Sequence, residues 1–391
     1  MSDFSRRSFL RGASVGALAL GVPGLLSACG TSSQVQSAAS CKSTDLSATQ
    51  KKLIFSNWPE YIDVKGKTMP TLAAFEKQSG IDVTYNTDIN DNNEFFGKIK
   101  DQLGGCEPIG RDIITLTDWM AARLIGLGWV QKLDHANLPN VVANLSPSLQ
   151  SPAWDKHRDY SVPWQSGLTG IAYNAKFTGT VSSFEELVTR KDLKGRISLL
   201  SEMNDTMLFM LLIDGADPTE FTRAEWDKAI ARLEGVVNSG QVRRFTGNDY
   251  IRDLNAGNVV ACEAWSGDVI AMQYDNPDIK WVAPDEGLAL WSDNMMVPIT
   301  STHRRNAERL MDYYYDPAVA AQVAAWVNYV CPVPAAQDVL ASSKDEDTAS
   351  LAENPLIFPD AEMRRRLVIA RDITSTERVE YAKRWNAIVG L

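Results

Sequence analysis

Aromatic rings and carboxylates recur together where the apolar runs of this chain end. Trp58, Glu60 and Tyr61 follow Leu53-Ile54-Phe55, and Thr117, Asp118 and Trp119 follow the run 112–116. Trp265, Ser266, Gly267 and Asp268 follow the run 259–264, and Trp291 and Asp293 follow the run 288–290. A fifth run, 197–200, leads to Glu202 and Asp205, three apart and so on one face if a helix begins there. A lone loop Trp is more often a packing anchor, and a lone Asp more often a cap. Five parallel occurrences point to a shared task, the capture of an organic cation. Carboxylates accept charge-assisted hydrogen bonds from ammonium groups. Ring faces attract the cation and cover the methylenes between amines. Several acids in a dry cleft would otherwise repel one another, and a polycation removes that cost.

Other chemistries lack their residues. The three histidines, His135, His157 and His303, are scattered, no cysteine pair has CxxC spacing, and no glycine loop is built to cradle phosphate. The sequence therefore predicts no metal and no cofactor. A nucleophile-elbow pattern, Gly12-Ala13-Ser14-Val15-Gly16, falls inside a cleaved leader. With no nucleophile and base pair elsewhere, an exported enzyme is the remotest reading. The net charge of −10 argues against nucleic acid and against an anionic membrane patch. The leader carries Arg6, Arg7 and Arg11 against a single Asp, so the rest of the chain is more acidic still.

The leader has its own signals. Ser5-Arg6-Arg7-Ser8-Phe9-Leu10-Arg11 has the form of a twin-arginine export signal, and the weakly apolar stretch 13–26 is too short and Gly-rich to span a bilayer. Leu26-Ser27-Ala28-Cys29 resembles the bacterial lipobox, in which the Cys is diacylated and becomes the mature N-terminus. Residues 29–50, rich in Ser, Thr, Ala and Gln, read as a flexible tether. Cys41, Cys106, Cys262 and Cys331 remain, and in an exported protein they allow three pairings.

The elements that must position the acids and rings alternate. Strands at 52–56, 81–86 and 112–116 are interleaved with helices at 69–78, 94–103 and 119–126, an order that predicts a largely parallel sheet covered on both faces. Residues 160–174 hold two extended pieces around Gln165-Ser166-Gly167, and 259–265 is a further strand. Helices are expected at 184–188, 226–237 and 307–315. Thr374 and Glu377 fit a capping box before a stripe of Val379, Ala382, Trp385 and Ile388. A body of ~340 residues exceeds one usual core and suggests two domains.

These residues together resemble the periplasmic spermidine/putrescine-binding proteins of bacterial ABC importers. The likeness runs from about Lys52 to Leu391 and rests on Asn57-Trp58-Pro59-Glu60-Tyr61, on 112–119 and 195–205, on Ala264-Trp265-Ser266-Gly267-Asp268, on Trp291-Ser292-Asp293, on Asn328-Tyr329 and on Phe358-Pro359-Asp360-Ala361-Glu362. It implies an α/β, type II periplasmic-binding-protein fold, with two α/β lobes joined by a hinge and a ligand cleft between them. Residues 51–166 and 291–338 would form one lobe, and 167–290 and 339–391 the other, with crossings near 165–170 and 290. By the same resemblance, Trp58, Glu60, Tyr61, Thr117 and Trp119 face the ligand from the first lobe, and Glu202, Asp205, Trp265 and Asp268 from the second. Trp291, Asp293 and Tyr329 follow the return crossing.

The implied function is a lipid-anchored, monomeric binding protein at the outer face of the cytoplasmic membrane or in the periplasm. It would deliver a polyamine to the permease subunits of an ABC importer. Another organic cation, an opine or an amino acid on the same fold is the alternative. Three departures bear on ligand length more than on class. Pro59 stands where relatives often have Ser or Thr, Asp118-Trp119 replaces a small polar residue and Tyr, and no Gln occurs among residues 366–370.

Overall fold

The computed structural model describes residues 41–390, apart from the side chain of Ser375. The twin-arginine segment, the lipobox with Cys29 and the first part of the expected tether lie outside the described residues. Ten strands occur among the described residues: β1 Lys52–Ser56, β2 Asp82–Asn86, β3 Ile113–Thr117, β4 Val162–Asn174, β5 Ile197–Leu200, β6 Val242–Thr246, β7 Ala261–Trp265, β8 Ile279–Val282, β9 Leu288–Met296 and β10 Leu367–Val368. They follow the order β2-β1-β3-β9-β4-β7-β5-β6, with β10 beside β9 and β8 beside β4.

The largely parallel sheet expected from strand and helix alternation is found only toward its two ends. β1 is parallel to β2 and β3, and β5 is parallel to β6 and β7. Between these sets, β4 and β9 run antiparallel to each other, with β9 antiparallel to its neighbour β3 and β4 antiparallel to its neighbour β7. The reason is topological. A chain that passes from one set to the other and returns must bring the returning strand back in the opposite direction, and an apolar run carries no mark of direction. β4 is one continuous 13-residue strand rather than two pieces, and it pairs with β9 through Gln165↔Asp293, Ser166↔Ser292 and Gly167↔Trp291. β9 reaches β3 through residues 293–296, whereas β4 reaches β7 through 169–173. The β4–β9 ribbon thus links the two parallel sets.

The buried apolar residues form two clusters, the first centred on β1 and β3 but running on to Leu200, Cys262 and Ala264 of the other set. Leu53, Phe55, Ile113 and Leu116 pack with Met120 of the helix Asp118–Gly126 in one cluster. Ile197 and Leu199 pack with Phe209, Trp226, Tyr381 and Trp385 in the other. The C-terminal helix Ser375–Val389 starts with the expected capping box, Thr374 and Glu377 each bonding to the other's backbone N–H. Its buried face is carried by Tyr381 and Trp385, while Val379 is 74% exposed. The expected stripe is therefore corrected at its first position, which falls on the solvent side of the helix.

The described part of the expected tether, residues 41–50, is packed on the body. Cys41 is joined to Cys106 by a disulfide, whereas Cys262 and Cys331 are free and buried. The Leu46 N–H donates to Thr302 O at 2.7 Å. Composition misled because this segment is held by polar groups and a covalent bond, not by apolar burial. The helix Arg304–Tyr313 has no side-chain cap from its own N-cap, His303. Residues 41–50 supply that function from a distance: Asp45 Oδ2 accepts from the Arg305 N–H at 3.2 Å, and Ser47 Oγ accepts from the Asn306 N–H at 3.1 Å.

Candidate functional site

The strand ends converge on a cavity of about 470 Å³. Trp58 and Tyr61 reach it from the loop after β1, and Thr117 from the end of β3. Glu202 is the N-cap residue of the helix Met203–Ile213, and Asp205 lies in its first turn. Trp265 ends β7, and Asp268 lies in the first turn of the helix Ser266–Asp275. Helix N-termini carry partial positive charge, which suits carboxylates there. Glu202 is not spent on capping its own helix.

Of the twelve residues expected to face a ligand, the structure brings Trp58, Tyr61, Thr117, Trp119, Glu202, Asp205, Trp265, Asp268, Trp291, Asp293 and Tyr329 to this one cavity. Glu60 is the exception. It has a left-handed backbone with φ 54°, is exposed and does not line the cavity. Its turn lifts Trp58 and Tyr61 inward and turns Glu60 outward, and only its charge is felt, raising the pKa of Asp268.

Neutral donors hold the acids in place. Asp293 accepts from Tyr61 OH at 2.9 Å and from Thr117 Oγ1 at 2.7 Å. Asp268 accepts from Tyr250 OH at 2.6 Å, Tyr329 OH at 2.8 Å and Asn248 Nδ2 at 2.9 Å. Trp265 Nε1 donates to Asp205 at 3.0 Å. Asn92 Nδ2 donates to Glu202 Oε1 at 3.1 Å, and the second carboxylate oxygen of Glu202 is buried with no hydrogen-bond partner. Asn92 and Glu202 belong to opposite strand sets, as do Tyr61 and Asp268, so the two sets meet across the cavity.

The rings form a contiguous group. Tyr61 and Tyr329 meet edge to face at 5.2 Å between centroids, as do Trp291 and Trp265 at 6.1 Å, and Tyr329 and Trp291 are tilted at 5.6 Å. Two glycines make room for them. A Cβ on Gly167 would lie 2.1 Å from Trp291 Cζ2, and one on Gly267 would lie 2.4 Å from Tyr329 Cε2. Trp291 Nε1 is anchored on Thr169 Oγ1 at 3.0 Å.

Burial dominates the electrostatics. It raises Asp205 to about 6 against the pull of its Trp265 and Thr169 hydrogen bonds. It raises Asp293 to about 7, with the Asp118 and Asp205 charges adding to the rise and Thr117 and Tyr61 opposing it. Asp268 is raised by burial despite its three donors, and Glu202 is raised well above its ordinary range by burial and the charges of Asp91 and Asp205. Behind them Glu263, fully buried on β7, is raised to about 8 by burial and by Asp205. Asp118 differs. Burial raises it to about 6, but the nearby Arg158 charge opposes the rise.

Several groups at the cavity lie outside the strand-end pattern as read from sequence. Asn248, and Tyr250 buried behind Asp268, follow β6, whose Val-Arg-Arg-Phe-Thr sequence lacks the apolar run by which the other strands were found. Once β6 is seen, Asn248, Asp249 and Tyr250 form a further polar and aromatic strand end. Asn92 opens a helix after β2, and Arg371, Asp372 and Arg378 come from the C-terminal segment. No local spacing marks these last residues.

Comparison with known proteins places this arrangement. Residues 71–358 match the model of the family described as bacterial extracellular solute-binding protein. The spermidine/putrescine-binding periplasmic protein of Escherichia coli strain K12 is 26% identical over 314 residues, covering 79% of this chain and 84% of that protein. A putrescine-binding periplasmic protein of the same strain is 27% identical over 342 residues, covering 82% and 87%. Among solved structures, a putative spermidine/putrescine ABC transporter protein from Listeria monocytogenes superposes with a TM-score of 0.74 at 25% identity, covering 87% of this chain and 99% of that one. A lipoprotein of Treponema pallidum shares the fold at 19% identity, with a TM-score of 0.71 and coverage of 87% and 100%. The α/β architecture is thus the periplasmic-binding-protein fold, and the chain belongs to the bacterial extracellular solute-binding protein family, whose members bind solutes for transport rather than catalyse reactions.

Proposed function

We propose that this chain is an exported, lipid-anchored binding protein that captures a polyamine of the putrescine/spermidine class and hands it to the permease subunits of an ABC importer. One observation carries the reading. Glu202, Asp205, Asp268 and Asp293 share a cavity with a contiguous group of aromatic rings, and only neutral groups donate to them among the described residues. Burying acids without a counter-charge is costly. A ligand with two or more ammonium groups, spaced by methylenes that rings can cover, meets that need directly. The names of the relatives and their modest identity agree with it. The ligand-facing roles follow: the acids hold ammonium groups, and Trp58, Tyr61, Trp265, Trp291 and Tyr329 cover the methylenes.

The same reading gives the motion. Tyr61, Thr117 and Asp293 stand on the side of β1 and β3, and Glu202, Asp205, Trp265 and Asp268 on the side of β5 and β7. A cation that touches both sides favours the state in which they meet, and without it the acids repel across the cleft. Bending is assigned to the β4–β9 ribbon around 165–170 and 290–292, between lobes composed of 51–166 with 291–338 and 167–290 with 339–391. Lipid attachment is assigned to Cys29 on the strength of Leu26-Ser27-Ala28 before it. Diacylation holds a protein at a membrane where a single chain gives only marginal binding.

Three measurements test these assignments. In calorimetry with putrescine, cadaverine, spermidine, spermine, an amino acid and an opine, only the amines are expected to bind. Asp268→Asn and Asp293→Asn should each cost roughly 1.5–3 kcal/mol, about ten- to a hundredfold in affinity. Wild-type affinity in both variants removes the acids from the role given to them. Small-angle scattering should show a smaller radius of gyration with saturating amine, and an unchanged radius in a sample shown to bind rules out closure. Cys29→Ser should move the protein from the membrane to the soluble exported fraction. A mature N-terminus at any other residue refutes the anchor.

A further inference from the structure

The aromatic rings that line the cavity fall into two sets, and the protein's own cations make the division. Trp119 lies under the guanidinium of Arg378 at 5.5 Å from the ring centroid, and Phe221 lies under that of Arg371 at 3.9 Å. Trp154 is covered by Arg158 at 5.2 Å, and Trp226 by Arg384 at 5.6 Å. Trp58, Tyr61, Trp265, Trp291 and Tyr329 carry no such cation among the described residues. An aromatic face already occupied by a guanidinium is not available to a ligand ammonium.

Arg378 matters most of these, because its charge is the least neutralised close at hand. Arg371 is held by Glu377 at 2.7 Å. Arg158 shares its buried surroundings with Asp118 and Asp155. Arg378 forms no ion pair within 4.0 Å among the described residues. Its Nη2 reaches only Ile373 O, at 3.4 Å, and its Nη1 is buried without a partner. The charged groups acting on it are Arg123, which repels it, and the exposed Asp372, which attracts it. The cavity therefore has an acidic region with open ring faces and a wall where a partly compensated guanidinium sits over the ring.

We propose that Arg378 is a specificity-determining residue that restricts this site to short diamines by repelling any further ammonium carried toward Trp119. The proposal rests on the polyamine reading above and deepens it. A diamine places both charges among Glu202, Asp205, Asp268 and Asp293. A triamine or tetraamine extends beyond them, and its additional cation meets Arg378 over the Trp119 face, with Asp372 offsetting that charge only in part. Like charges set against each other in a desolvated site are an effective means of rejecting a wrong ligand.

The test is a calorimetric comparison of putrescine, cadaverine, spermidine and spermine on the purified wild-type protein and on Arg378→Gln, Arg378→Lys and Asp372→Asn. Wild type should favour the diamines over spermidine by about tenfold or more. Arg378→Gln should narrow that ratio by about fivefold, chiefly by tightening spermidine, because the repelling charge is gone while the diamine subsites are untouched. Arg378→Lys should keep the preference, and Asp372→Asn should sharpen it. The two last variants decide the matter if Arg378→Gln fails to fold. Spermidine binding to wild type as tightly as putrescine overturns the proposal, as does a ratio that none of the variants moves. Absence of heat with every amine overturns the polyamine reading itself and this proposal with it.

Discussion

Four carboxylates gathered at one cavity, Glu202 and Asp293 buried and Asp205 and Asp268 half-buried, without a cation of their own are the constraint around which this molecule is organised. Ionised acids in an apolar enclosure repel one another and lose hydration, so each must be protonated, hydrogen-bonded or paired. Here each is hydrogen-bonded by neutral groups: Tyr61 and Thr117 on Asp293, Tyr250, Tyr329 and Asn248 on Asp268, the Trp265 indole on Asp205 and Asn92 on Glu202. These donors fix the acids in orientation, yet burial still leaves every one of the four raised above its ordinary pKa. Near pH 6.5 Asp293, at about 7, and Asp205, at about 6, are therefore partly protonated, and a ligand cation favours loss of those protons.

The fold meets this constraint with backbone devices. Strand ends deliver the rings, and helix first turns deliver Asp205 and Asp268, where the peptide dipoles favour negative charge. Gly167 and Gly267 let Trp291 and Tyr329 lie flat against neighbouring backbone, an approach that any Cβ would block. The β4–β9 ribbon holds Asp293 in register with Gln165 while joining the two strand sets. Positioning and connection thus depend on the same pair of strands.

Much of this was legible in the sequence, for identifiable reasons. The aromatic and acidic residues announce themselves because each follows an apolar run, and the fold places all but one of the expected residues at one cavity. Glu60 misled because spacing in a turn says nothing of direction, and a left-handed residue there faces outward. The antiparallel centre of the sheet was hidden because strand polarity depends on long-range chain crossings. β6 was hidden by its two arginines, and with it Asn248 and Tyr250. Residues 41–50 read as a tether because their attachment is a disulfide and a set of helix caps, neither of which leaves an apolar pattern. Arg378 could not be placed from sequence at all. It approaches the cavity from the C-terminal helix, far along the chain from Glu202, Asp205, Asp268 and Asp293.

The central claim is that a cation completes this acid cluster, and proton release on binding tests it most directly. Calorimetric titrations of putrescine near pH 6.5, run in buffers of different ionisation enthalpy, give the number of protons exchanged. With Asp205 at about 6 and Asp293 at about 7 before binding, the ammonium groups should lower both values. The protein should therefore release protons to the buffer, and affinity should rise with pH from about 5 to 8 while the amines stay charged. Binding with no proton exchange, or with proton uptake, would contradict the account.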